Sequence, residues 1–236
     1  MKNNHVVLPI VVVFIFIFYA CLGPSEPVEQ PSIFSLTITL PDAGQQYEIG
    51  GDTLRIITHK MIIDSLSVIK QGEEDERFEA VPLLAHFTQG FTDYNSVGSG
   101  ELSGGGRYDG ISYSVVTPPA EDIHFVDPDL IERDEGTGEI TNIYSIAVIG
   151  IYNNEAFRFR SQISRSVQYG FLNTVEMPEF SGFLEARLRG NWKQWFLNTN
   201  GTGLLNPNDS ANRKQIEENI LKFFDIETFT VGDMIR

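Results

Sequence analysis

Apolar and polar side chains alternate along much of this 236-residue chain. Phe34, Leu36, Ile38 and Leu40 fall on one side of an extended segment, and Ser35, Thr37 and Thr39 fall on the other. That period of two marks a strand with one buried face. The same period predicts a strand at Ile111, Tyr113 and Val115 against Gly110, Ser112 and Ser114. It returns in Phe157, Phe159 and Ile163 against Arg158, Arg160 and Gln162, and in Phe180, Gly182, Leu184, Ala186 and Leu188 against Ser181, Glu185 and Arg187. Leu54 to Ile69 and Ile143 to Tyr152 are more continuously apolar, the pattern of central strands covered on both faces. Turn-rich stretches at Gln71 to Glu76, Val97 to Gly106 and Asp134 to Gly138 separate these segments.

Short alternating strands with few helical segments between them predict an all-β chain, an antiparallel β-sandwich of the immunoglobulin or transthyretin kind. An up-and-down barrel uses the same pattern and is the second architecture. The last quarter changes period. Trp192, Trp195 and Phe196 stand at i, i+3 and i+4 and predict a short helix starting near Gly190. A second short helix is predicted from an N-cap at Asp209 or Ser210 and a stripe of Ile216, Ile220 and Phe223, widened by Phe224. Thr228 to Val231 adds a last strand. The pair of helices, a cap over 190–224, closes one end of the sandwich, because an apolar stripe needs a partner.

The first thirty residues follow other rules. Lys2 precedes an apolar and aromatic run, Val6 to Ala20, the layout of a secretory signal. The run ends by Gly23, at the short edge of the roughly 18 to 20 residues that a membrane-crossing helix needs, so a retained helical anchor is the second reading. Phe18-Tyr19-Ala20-Cys21 resembles the lipobox of bacterial lipoproteins. The resemblance implies a diacylglycerol on the Cys21 thiol, cleavage before it and acylation of the new amino group. Residues 1–20 are then a signal peptide, 21–32 an acylated cysteine with a proline-rich tether, and 33–236 the domain with its helical cap. Each buried CH2 of the acyl chains contributes about 0.8 kcal/mol, so more than one chain holds the protein at the outer membrane without a spanning helix. Which face it occupies stays open. Cys21 is the single cysteine, so the domain has no intramolecular disulfide and no thiolate metal site.

Charge narrows the partners. Thirty-two acidic residues against 17 basic ones give a formal charge of −15. Nucleic acid is excluded as a natural partner, since phosphate binding needs a concentrated positive field.

Two groups of motifs resemble a known family. Gly106-Arg107-Tyr108-Asp109-Gly110-Ile111-Ser112-Tyr113 is similar to the Gly-x-Tyr-x-x-Ile-x-Phe strand of lipoprotein β-sandwich domains in Bacteroidota and, more distantly, of MbnP-like proteins. Trp192 to Phe196, Leu205-Asn206-Pro207 and Ile216-Glu217-Glu218-Asn219-Ile220 resemble the ending of the same group. The resemblance implies an envelope lipoprotein and, through the copper-linked members, a metal-handling alternative.

Candidate chemistry is sparse. His59 and Met61, two apart on one strand face, are the residue types that suit copper, with a core-edge histidine beside a buried methionine as the plainer account. Asp127, Asp129, Glu132 and Asp134 form one oxygen-rich region of the kind calcium takes, and Asn198, Asn200, Asn206, Asn208 and Asp209 another, although turn formation and capping also explain the second. Trp192, Trp195, Phe196 and Tyr108 are either a recognition platform or core. No Gly-x-Ser-x-Gly elbow occurs, Gly98-Ser99-Gly100 reads as a flexible turn, and Gly104-Gly105-Gly106 lacks the Lys-Ser or Lys-Thr of a phosphate loop. The sequence therefore reads as a lipid-anchored, non-catalytic envelope module that binds a protein or glycan partner or serves a structural role, and needs no cofactor. Copper or calcium handling is second, and hydrolysis of an envelope glycan third.

Overall fold

The computed structural model describes residues 30–39, 44–78, 83–88, 95–119 and 127–232. Cys21, the leader and most of the tether lie outside the described residues. Contacts along the chain separate Met1–Gln30 from Pro31–Arg236, and the second unit carries the fold.

Its strands run β1 (Ile33–Thr39), β2 (Gln46–Ile49), β3 (Asp52–Lys70), β4 (Glu76–Arg77), β5 (Leu83–Thr88), β6 (Asn95–Glu101) and β7 (Gly106–Val115). A 3-10 turn at Pro128–Leu130 leads into β8 (Ile131–Arg133), β9 (Ile140–Ile143), β10 (Ile146–Tyr152), β11 (Glu155–Ser161), β12 (Arg165–Met177) and β13 (Gly182–Gly190). Helices at Trp192–Trp195 and Arg213–Lys222 precede β14 (Phe224–Gly232). One sheet has the order β14-β13-β1-β6; the larger has β11-β10-β3-β7-β12, with β2, β4 and β5 also paired to β3, and β8 and β9 form a separate hairpin.

Alternation explains why the sheets stack. Phe34, Leu36 and Ile38 of β1 and Leu184, Ala186 and Leu188 of β13 share one core cluster with Ile56, Met61, Ile63 and Val68 of β3 and with Tyr108, Ile111, Tyr113 and Val115 of β7. Burying both apolar faces against each other gives an all-β sandwich. It is not purely antiparallel: β1 lies parallel to β13, from Ile33 opposite Phe183 to Thr39 opposite Arg189. A parallel neighbour needs a long connection, and more than half of the domain intervenes between these two strands.

Two further expectations change. The stretch Val97 to Gly106 is a strand as far as Glu101, paired to β1 with Phe34 opposite Gly100 and Leu36 opposite Gly98. Its glycines serve close packing rather than turning: a Cβ on Gly100 would stand 2.0 Å from Phe78 Cδ1, and one on Gly98 3.2 Å from Leu66 Cδ2. Phe224 belongs to β14, opposite Gly190, and not to the helical stripe, because the helix ends at Lys222.

The helical segment is built into the core. Trp192, Trp195, Phe196, Ile216 and Ile220 are buried within the same cluster as the sheets. The Trp195 ring lies 4.7 Å from that of His59 and 5.4 Å from that of Phe224, and its Nε1 donates to Phe223 O at 3.1 Å. Phe196 meets Phe157 and Phe159 of β11, and Ser161 Oγ donates to Glu217 Oε1 at 2.7 Å, which fixes the second helix beside that strand. Among the described residues no helix is long and apolar enough to cross a membrane.

Candidate functional site

The longest strand organises the site. Along β3, His59, Met61 and Ile63 point into the core, while Lys60 and Ile62 face the other way, Ile62 joining a second small cluster with Leu130 and Ala147. The apolar run is interrupted at Asp64 and Ser65. Ser65 has φ +56°, the left-handed region that L-residues other than glycine, asparagine and aspartate rarely adopt. Its effect is visible in the register with β7: Asp64 stands opposite Ser114 and Ser67 opposite Ser112, so three steps on β3 match two on β7. This is a β-bulge, and the extra residue returns Ser67 to the face that Asp64 occupies.

The neighbouring strands extend both positions sideways. Ser114 lies opposite Ser166 of β12, and Ser67 lies opposite Arg77 of β4. Residues directly opposite in adjacent strands project to one face with Cβ atoms about 4.5 to 5.5 Å apart. The result is two polar rungs, Asp64–Ser114–Ser166 and Arg77–Ser67–Ser112. They line a cleft of about 460 Å³, to which Ser65, Asp75, Phe78 and Tyr113 also contribute. That volume falls in the roughly 300 to 1,000 Å³ of small-molecule sites.

Some of the lining is internally satisfied. The Ser114 and Ser166 hydroxyl oxygens are 2.8 Å apart, and Ser65 Oγ donates to Asp64 Oδ2 at 3.1 Å. The side chains of Ser67, Ser112, Asp75 and Arg77, by contrast, make no hydrogen bond or ion pair with another described residue. Phe78 supplies an aromatic wall, stacked on Phe34 with ring centroids 5.4 Å apart. Tyr113 turns inward against Tyr169, at 6.1 Å between centroids, and burial pushes its hydroxyl well above the ordinary tyrosine range. It stays neutral at physiological pH. The cleft's chemistry is therefore hydrogen bonding: hydroxyls that donate and accept, carboxylates that accept and a guanidinium that donates. No imidazole, amine or thiol stands among its described lining residues.

The residues that sequence singles out lie elsewhere. His59 and Met61 do share a face of β3, but it is the inward face, and both are fully buried. Among the described residues no three or more His, Cys, Asp or Glu side chains gather as a cation site. Asp127 and Asp129 accept from Lys60 Nζ at 2.5 and 2.7 Å, and Arg158 stands 3.3 Å from Asp129. Burial disfavours the Lys60 charge, but these two carboxylates outweigh it and hold the ammonium above its usual range. Glu132 accepts from Tyr144 Oη at 2.6 Å and from Asn142 at 2.9 Å, which lowers its carboxyl below the usual range. Asp134 is lowered by the backbone N–H groups of Thr137 and Gly136 that it caps. Asn198, Asn206 and Asp209 accept from the backbone of Thr202, Asn208 and Ala211, so their oxygens build turns.

Trp192, Trp195 and Tyr108 are buried and form no platform toward solvent. Their large apolar area is better used in the core, with Trp192 edge-on to Tyr47 at 4.6 Å and Tyr108 donating to Glu76 Oε1 at 2.7 Å. The sequence pattern does not single out the cleft, whose trace is the Asp64-Ser65 step that follows Met61-Ile62-Ile63.

Fold and cleft together define a class: an all-β sandwich whose larger sheet carries a hydroxyl-lined depression beside a bulge. Compared with known proteins, the chain is matched by no family model, no curated protein and no solved structure.

Proposed function

We propose that this protein is a lipid-anchored module of the cell envelope, held at the outer membrane through acylated Cys21, that binds a small polar ligand in the cleft and does not transform it. The carrying observation is the set of polar side chains, Ser67, Ser112, Asp75 and Arg77, that make no bond to another described residue and are gathered in one depression beside a bulge. A residue held in the left-handed region beside a cleft is the kind of local strain that binding sites retain. The described lining carries no imidazole, amine or thiol to activate its serine hydroxyls, which favours binding over catalysis. The anchor rests on the Phe18-Tyr19-Ala20-Cys21 motif.

Each half has its own test. Intact-mass measurement of the full chain extracted from membranes is expected to find a mature protein beginning at an acylated Cys21. A chain that retains residues 1–20 and a free thiol refutes the anchor. For the cleft, small-molecule extracts of the envelope are expected to raise the Tm of the wild-type chain and not that of Ser112→Phe, which fills the depression. Equal rises in both proteins place binding elsewhere.

A further inference from the structure

The lining also says what kind of ligand fits, on the premise that the cleft is a binding site. We infer that it takes a neutral polyhydroxylated ligand, a short stretch of glycan. Five of the ten lining side chains are serine hydroxyls: those of Ser67 and Ser112 can both donate and accept, and Ser65, Ser114 and Ser166 keep acceptor capacity beside the bonds they already make. Four of them, Ser67, Ser112, Ser114 and Ser166, stand in two rungs across three adjacent strands, with an obligate donor, Arg77, beside Ser67 and an obligate acceptor, Asp64, beside Ser114. A ligand that satisfies such a surface must interleave donors and acceptors at short spacing, which is what vicinal sugar hydroxyls do. Phe78 adds a flat apolar wall suited to the C–H face of a sugar ring.

The competing ligand chemistries fit less well. An anion such as phosphate would meet a single guanidinium accompanied by Asp64 and Asp75, on a chain of formal charge −15. A cation would leave the Arg77 donors unused and would be repelled by them. An apolar ligand would strand the hydroxyls without partners, each buried loss opposing binding. An extended peptide would seek a strand edge, whereas these groups project from a sheet face.

The experiment is calorimetric titration of the full chain, held in a zwitterionic detergent that carries no sugar. The probes are chitotriose, maltotriose and dextran fragments, compared with inorganic phosphate and spermidine. At least one neutral oligosaccharide is expected to bind, with affinity lowered about tenfold or more by Arg77→Ala and by Asp75→Asn, since each removes a hydrogen bond to a charged group. Ser112→Phe is expected to abolish it. Binding of phosphate or spermidine alone, sensitive to the same substitutions, overturns the glycan assignment and leaves the cleft as a site. Saccharide binding that ignores all three substitutions, or no binding by any probe, overturns the assignment, and only the first of these also removes the cleft.

Discussion

One strand carries two outward polar regions with opposite fates. Around Lys60, the first half of β3 is covered: the Lys60 ammonium is clamped by Asp127 and Asp129, and Ile62 packs with Leu130 and Ala147. Four residues on, at Asp64 and beyond the Ser65 bulge, the same face opens into a cleft whose Ser67, Ser112, Asp75 and Arg77 side chains bind nothing described. The clamp spends its polar groups on folding, and a buried charge of that kind must be paired to be tolerated at all. The cleft keeps Asp75 and Arg77 exposed and Ser112 half-buried, where the lack of a described partner costs the fold little and leaves them available to a ligand. Polar residues that look alike in sequence thus divide by whether the fold has satisfied them.

The sharpest way to break this comparison is to cut the covered half. Leu130→Ala empties a fully buried site in the small cluster and is expected to lower unfolding free energy by about 2 to 4 kcal/mol in denaturant titration. Little change there would mean that the covering segment is not a stabilising part of the fold. Lys60→Met keeps the apolar stem, takes the ammonium from two carboxylates that are each about a fifth exposed, and is expected to cost about 2 to 3 kcal/mol at neutral pH. Its pH dependence sharpens the point. The carboxylates raise the folded-state ammonium above the ordinary 10.5, so this stabilisation is complete below that pH and fades as pH rises through the higher folded value. On the alkaline side, wild type and Lys60→Met therefore converge only at high pH, and convergence at pH 8 would contradict the clamp. A smaller effect is expected at the bulge. Ser65→Val places a β-branched residue at φ +56° and costs about 1 to 2 kcal/mol, whereas Ser65→Gly does not.

How much of this is legible in the sequence follows from one-sided burial. β1, β7, β11 and β13 alternate cleanly because one face of each meets the core, and the all-β sandwich is readable from them. β12 is largely exposed along its length and offers no such contrast. β6 hides behind Gly98 and Gly100, whose small size answers to Leu66 and Phe78, residues far off in sequence. The parallel pairing of β1 with β13 depends on tertiary order that no local pattern encodes. The chemistry is harder still. Rare residue types draw attention, yet His59, Trp192 and Trp195 are core, and Asp127 and Asp129 are counter-ions. The cleft is assembled from common serines on three strands, brought level by a single bulged residue, and nothing in the spacing of Ser67, Ser112 and Ser166 announces that they meet.

The most direct test is the stability of the Arg77→Ala, Asp75→Asn double variant measured against wild type by denaturant unfolding without ligand. If the cleft's polar groups are held in reserve, the two unfolding free energies agree within about 0.5 kcal/mol, as for exposed substitutions that break no interaction. A loss of about 2 kcal/mol or more would show that these side chains are already spent on the fold and would contradict the account.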